Sequence, residues 1–169
     1  MVKAFLGAAI WAVTAGLALA DCSDTRVDLR GDWGKARFTV EVADSSDERS
    51  LGLMNRPKMA ASAGMLFIYE HPQRVAFWMK NTLIPLDMIF MTPDGVVQRI
   101  HENAVPLDQT LIPGGDGILA VLEINGGMSK MLGITVGSQL RHPLLEQSLA
   151  AWPCSVESEV GTNFNRIGL

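Results

Sequence analysis

The chain has 169 residues, 48% of them hydrophobic and 19% charged, which excludes a disordered tail protein and fits one compact domain. Its 14 basic residues stand against 18 acidic ones, a net charge of −4, and no basic run occurs, so nucleic acid is not an expected partner. Two cysteines are too few for a disulfide-dense miniature fold.

Residues 1–20 read as an export signal. Lys3 is the positive n-region, an apolar run extends from Ala4 to Leu19, and Ala18-Leu19-Ala20 is a small-x-small cleavage site. The run is short for a bilayer span, so cleavage after Ala20 is expected, with an uncleaved anchor as the alternative. Cys22 raises the thought of a lipoprotein, but Asp21 stands where processing needs a small residue. The mature chain is expected to be soluble and periplasmic or extracellular, touching the membrane only through the signal before cleavage. Cys22 and Cys154 would then meet an oxidising compartment, and a disulfide between them would tie both ends to the body. Two free thiols are the alternative.

The body, taken as one domain over residues 21–145, reads as strands and turns. Lys35 to Val42 alternates, with Phe38, Val40 and Val42 on one face, and predicts a half-buried strand. Ser45 and Glu48 offer a capping box for a short helix reaching about Asn55, with Leu51 and Met54 inward and Pro57 ending it. Met65–Tyr69 and Val75–Met79 are apolar runs. Leu86–Met91 and Val96–Ile100 flank Thr92-Pro93-Asp94-Gly95, a type I turn pattern, and predict a β-hairpin over 86–100. Residues 101–116, with Pro113-Gly114-Gly115, read as a loop. Gly117–Ile124 predicts a strand, Met128–Leu132 a helical turn stopped at Gly133, and Val136–Leu140 a last strand. Residues 146–169 show no periodicity and predict a surface tail pinned near Cys154. Consecutive apolar positions imply strands covered on both faces or a closed sheet. The expected fold class is therefore α+β, a mostly antiparallel sheet curled towards a small barrel, with two short helices.

Charges beside apolar runs are the candidate chemistry. Lys80 follows Phe77-Trp78-Met79 and shares a face with Trp78 by alternation. Asp87 shares a face with Ile89 and Met91, and Glu123 with Leu119 and Val121. Arg56 ends the first helix. Each needs a partner or a solvent-lined cleft, because an unpaired buried charge costs several kcal/mol. Arg56, Lys80, Asn81, Asp87 and Glu123, floored by Phe77 and Trp78, could line a cleft. Three readings stay open: a structural ion-pair cluster, a ligand cleft, or a hydrolase with Asp87 or Glu123 as general base. His71, His101 and His142 show no metal spacing. Methionines such as Met88/Met91 and Met128/Met131 suggest core more than copper. Asn125-Gly126-Gly127 before a helical turn could receive an anion on its N–H groups, or simply begin the helix. No phosphate loop, dinucleotide fingerprint or nucleophile elbow occurs, and no cofactor is expected.

These residues also carry a resemblance. GLMNR at 52–56, GMLFIY at 64–69, FWMKNTLIPLDMIF at 77–90 and VLEINGG at 121–127 are similar to the DUF192 family, over about residues 36–141. The resemblance implies a single small α+β domain, often behind an export signal, and implies no reaction. It makes Arg56, Lys80, Asn81, Asp87 and Glu123 the positions that match the family's polar motif residues. The tail with Cys154 departs from it, so the disulfide is not part of the resemblance. The function expected is binding of a small polar or anionic ligand, with Lys80 and Arg56 on its negative group, Asn81 orienting it, and Asp87 and Glu123 balancing the charge. A hydrolase and a non-catalytic envelope interaction protein are the alternatives.

Overall fold

The computed structural model describes residues 22–154, so the expected signal segment lies outside the described residues, as does the tail beyond Cys154. Seven strands and two helices follow in order: β1 Arg26–Gly31, β2 Gly34–Ala43, α1 Ser46–Leu51, β3 Ala63–Phe77, β4 Leu86–Met91, β5 Val97–Ala104, β6 Ile112–Asn125, α2 Met128–Leu132 and β7 Gln139–Arg141. They make one sheet in the order β5-β4-β6-β3-β2-β1-β7. Five of its six pairings are antiparallel; β2 and β3 run parallel, with α1 in the crossover between them.

The sheet curls until its ends meet, the α+β half-barrel that the apolar runs imply. Val96 bridges Gln139, and the Leu140 N–H donates to the Gly95 carbonyl at 2.9 Å. Gly95 closes the Thr92–Gly95 turn with φ 76°, and a Cβ there would lie 2.5 Å from the Leu140 oxygen. Glycine is thus required both by the turn and by the close approach of β7. The interior takes alternate residues from each strand: Val27 and Leu29, Phe38 and Val40, Ile89 and Met91, Leu122 and Ile124. The outer face of β3, β4 and β6 is also covered. There Met65, Phe67, Met88, Phe90 and Val121 pack with Leu53, Met79 and Ile84 from the loops. All of β4 is consequently buried, as its unbroken apolar sequence requires. Met88 and Met91 belong to different cores, Met128 packs against the interior and Met131 is exposed, so neither methionine pair is a pair in space.

Several expectations need correction. The Ser45–Glu48 capping box forms, but α1 ends at Gly52, whose φ of 48° turns the chain before Met54. Leu51 is exposed, and Leu53 beyond the helix supplies the buried contact. Residues 101–116 are not one loop: β5 continues to Ala104 and β6 starts at Ile112. Pro113-Gly114-Gly115 lies within β6, where β3 and β6 shift register, and Gly114 sits so close to Phe90 that a Cβ would be 2.3 Å from its ring. The runs 65–69 and 75–77 belong to one bent strand, β3, joined by an exposed polar stretch at 70–74. Leu119 packs against the interior core and not on the face of Glu123 and Val121, because the register slips beside it. Val136 is exposed and β7 is only three residues long. Strand β1, paired antiparallel to β2, was not anticipated.

The described part of the tail is docked. Cys22 and Cys154 form a disulfide with Cα atoms 5.6 Å apart. Trp152 is stacked upon by the Arg30 and Arg141 guanidinium groups, each 4.5 Å from its ring centroid, and the Ala151 N–H donates to the Asp94 carbonyl. The disulfide spans 132 residues of sequence, and chain-entropy arguments assign such a closure about 4–5 kcal/mol. Cys154→Ser should therefore lower unfolding stability by about 2–5 kcal/mol in a denaturant titration. An unchanged midpoint would mean that the disulfide adds nothing to the other contacts that dock the tail.

Candidate functional site

Alternation along β6 sends Leu122 and Ile124 into the barrel and Glu123 to the outer face. In register, Glu123 lies between Met65 of β3 and Met88 of β4. Phe67 and Tyr69 follow Met65 on the same side of β3. After the bend at 70–74, β3 returns Phe77 to this face, packed edge-on against Phe67 at 5.2 Å and Phe90 at 5.8 Å between centroids. The turn Gly52-Leu53-Met54 forms the opposite wall. The result is a cleft of about 360 Å³ with Glu123 at its floor, Phe67, Tyr69 and Phe77 along its sides, and Trp78, Leu111 and Arg49 at its mouth.

Glu123 is only 4% exposed, yet among the described residues it has no hydrogen bond and no ion pair. Burial alone pushes its carboxyl up to about 8, so at neutral pH it is mainly an uncharged acid with a proton to donate. Burial also raises the Tyr69 hydroxyl, with Glu123 adding to that and Arg49 opposing it. Arg49 stacks over the Tyr69 ring at 5.1 Å, and its Nη1 donates to the carbonyls of Asp44 and Ile68.

The other expected residues are distributed differently. Phe77 and Trp78 do join Glu123. Lys80 stands at the rim, exposed, with Nζ 5.2 Å from the Trp78 ring centroid. Asn81 takes φ 54° and its carbonyl accepts the Asn55 N–H at 2.8 Å, so it ties together the two loops that wall the cleft. Arg56 is engaged by Glu41 of β2 in a bidentate pair at the surface, and this partner holds the Glu41 carboxyl below its usual range. It therefore does not point to a ligand beside Lys80.

Asp87 corrects the expected cluster most sharply. It pairs in register with Ile124, whereas Glu123 pairs with Met88, so the two carboxylates lie on opposite faces of the sheet. Asp87 is fully buried, and its oxygens accept the N–H groups of Asn103, Gly127 and Ser129 at 2.7, 2.8 and 2.7 Å. It docks α2, whose N-cap Gly127 has no side chain to do so. The Asn125-Gly126-Gly127 turn thus receives its anion from within the chain. A paired-carboxylate hydrolase and an Asp87 general base both fail on this geometry. The histidines are dispersed: His71 is exposed, and His142 is buried with Nε2 3.1 Å from the Asp24 carbonyl and its protonation disfavoured by that burial.

Arg49, Phe67 and Tyr69 were missed from sequence. Tyr69, the only tyrosine of the chain, closes an apolar run and was the one signal available.

Residues 27–142 match the DUF192 family, described as an uncharacterized ACR, and the chain belongs to that family. Two solved structures resemble it along most of its length. A protein of unknown function from Novosphingobium aromaticivorans DSM 12444 is 43% identical with a TM-score of 0.68, covering 69% of this chain and 83% of its own. A protein from Sinorhizobium meliloti 1021, described as a candidate transcription regulator, is 41% identical with a TM-score of 0.68, covering 72% of this chain and 95% of its own. No curated protein matches.

The two carboxylates should respond oppositely to neutralisation. Asp87→Asn removes an anionic acceptor from three N–H groups and should cost about 2–4 kcal/mol of unfolding stability. Glu123 binds its proton more tightly folded than unfolded, so its contribution makes stability fall as pH rises from about 4.5 to about 8 and level off above. Glu123→Gln should abolish that slope and be at least as stable as the wild type at the alkaline end. Denaturant midpoints measured across pH decide both, and a Glu123→Gln protein destabilised at every pH would contradict the assignment.

Proposed function

We propose that the protein is an exported, soluble binding domain whose cleft takes a small organic molecule with an apolar body and a polar head. The observation that carries this reading is Glu123: a buried carboxyl without a protein partner, at the floor of an aromatic-walled cleft of about 360 Å³. Burial takes such a group largely out of bulk water, and a ligand head that meets it supplies the hydrogen bond that no protein group makes among the described residues. Phe67, Phe77 and Trp78 supply faces and edges for the apolar body. Lys80 and Arg49 give the mouth a positive bias that favours a polar or anionic head. With a net charge of −4, the chain has no basic excess for nucleic acid.

Hydrolysis with Glu123 as the proton-transfer group is a second reading, supported by a carboxyl raised near the working pH. Export is supported by the N-terminal signal pattern and by the Cys22–Cys154 disulfide, which belongs to an oxidising compartment.

A thermal-shift screen of small aromatic acids, amines and alcohols should raise the melting temperature with at least one class and without consuming it. Trp78 is 44% exposed at the rim, so Trp78→Ala should change stability by less than about 1 kcal/mol yet weaken such binding about fivefold or more. Binding unaffected by Trp78→Ala would move the site elsewhere, and turnover of a panel ester would favour the hydrolase. In a bacterial host, intact mass of the full-length product should show a chain beginning at Asp21; a cytoplasmic product that keeps Met1 would contradict export.

A further inference from the structure

Two polar groups in the cleft have no protein partner, and both can donate. The Tyr69 hydroxyl and the Glu123 carboxyl belong to adjacent strands, β3 and β6, and line the same cavity. Neither makes a hydrogen bond among the described residues. They lie within electrostatic reach of each other, since Glu123, once ionised, raises the Tyr69 hydroxyl. A cation at the floor would need Glu123 to ionise where burial opposes charge, and it would face Arg49 at the mouth. An anion needs no ionisation: a neutral carboxylic acid and a phenol both present O–H donors to it. An uncharged acid kept in an apolar site so that it can donate a hydrogen bond is an established arrangement for binding a negative oxygen.

We propose that Tyr69 and Glu123 act together as uncharged donors to one oxygen of a small organic acid whose body lies against Phe67, Phe77 and Trp78. This rests on the ligand-cleft reading above and names the class of ligand that the cleft takes. Arg49 adds positive potential at the mouth without descending to the floor, because its Nη1 is held by the Asp44 and Ile68 carbonyls. The charged or titratable groups that line the cleft are Arg49 of α1, Tyr69 of β3 and Glu123 of β6, with Lys80 outside over Trp78. Of these, Glu123 is the one whose charge changes near neutrality, with its carboxyl at about 8, so anion binding should weaken as pH rises through that value.

The test uses three probes of similar shape: phenylacetate, phenethylamine and phenethyl alcohol, titrated into the oxidised mature protein by calorimetry at about pH 6.5 and about pH 9. Phenylacetate should bind best at the lower pH and about tenfold more weakly at the higher, following the fraction of Glu123 that keeps its proton. Glu123→Gln, whose amide still donates, should bind phenylacetate at both pH values with no such change. Tyr69→Phe should weaken binding about fivefold or more while keeping the pH dependence. Phenethylamine binding that tightens with pH would make Glu123 a counter-ion and overturn the donor pair while the cleft reading stands. Equal binding of the alcohol, or phenylacetate binding independent of pH in the wild type, would overturn it in the same way. No binding of any probe to a folded wild type would overturn both readings.

Discussion

Strand β6 lies between β3 and β4 and is covered on both faces, so each side chain of Val121–Ile124 must enter one of two apolar interiors. That constraint organises the molecule. It commits Leu122 and Ile124 to the barrel and Glu123 to the outer face, where among the described residues no protein group donates to it or pairs with its charge. The neighbouring register then sends Asp87, one residue along the partner strand, to the opposite side. A one-residue slip of β4 against β6 would bring Asp87 onto the face of Glu123.

The two carboxyls illustrate two responses to burial. Asp87 is surrounded by backbone N–H groups, so its charge is useful to the fold: it joins β4, the end of β5 and the start of α2. Glu123 has no such donors, and its burial favours the neutral form. Closing the cleft with apolar residues would have been the simpler packing solution. The chain instead bends β3 through 70–74, returns Phe77 and Trp78 to the same face, and holds the two cleft-wall loops together through Asn55 and Asn81. The Asp87 carboxyl thus serves the fold on one side of the sheet, while the Glu123 carboxyl faces the cleft on the other.

What the sequence made legible was local. The β4–β5 hairpin, the Phe38/Val40 alternation, the Ser45–Glu48 capping box, the Met128–Leu132 turn and the pairing of Cys22 with Cys154 follow from neighbouring residues or from simple counting. The failures are non-local. Pro113-Gly114-Gly115 reads as a loop until Phe90 is known to press against Gly114. Leu51 reads as buried until Gly52 turns the chain. Asp87 shares its face with Ile89 and Met91 as alternation implies, and Glu123 with Val121 but not with Leu119. Which side of the shared sheet each occupied depended on the β4–β6 register, which no local pattern specifies. Arg49 and Tyr69 reach the cleft only through the crossover that makes β2 and β3 parallel, so their membership of the site was not readable in their own segments.

The central claim is that Glu123 is a neutral acid at physiological pH, and carbon-detected NMR of its labelled side-chain carboxyl tests it directly. Spectra of the wild type, assigned by comparison with Glu123→Gln, should show the Glu123 carboxyl titrating near 8, apart from the other glutamates. A Glu123 carboxyl that titrates in the ordinary range, near about 4.3, would mean a charged and solvated group, and would contradict the account of the cleft.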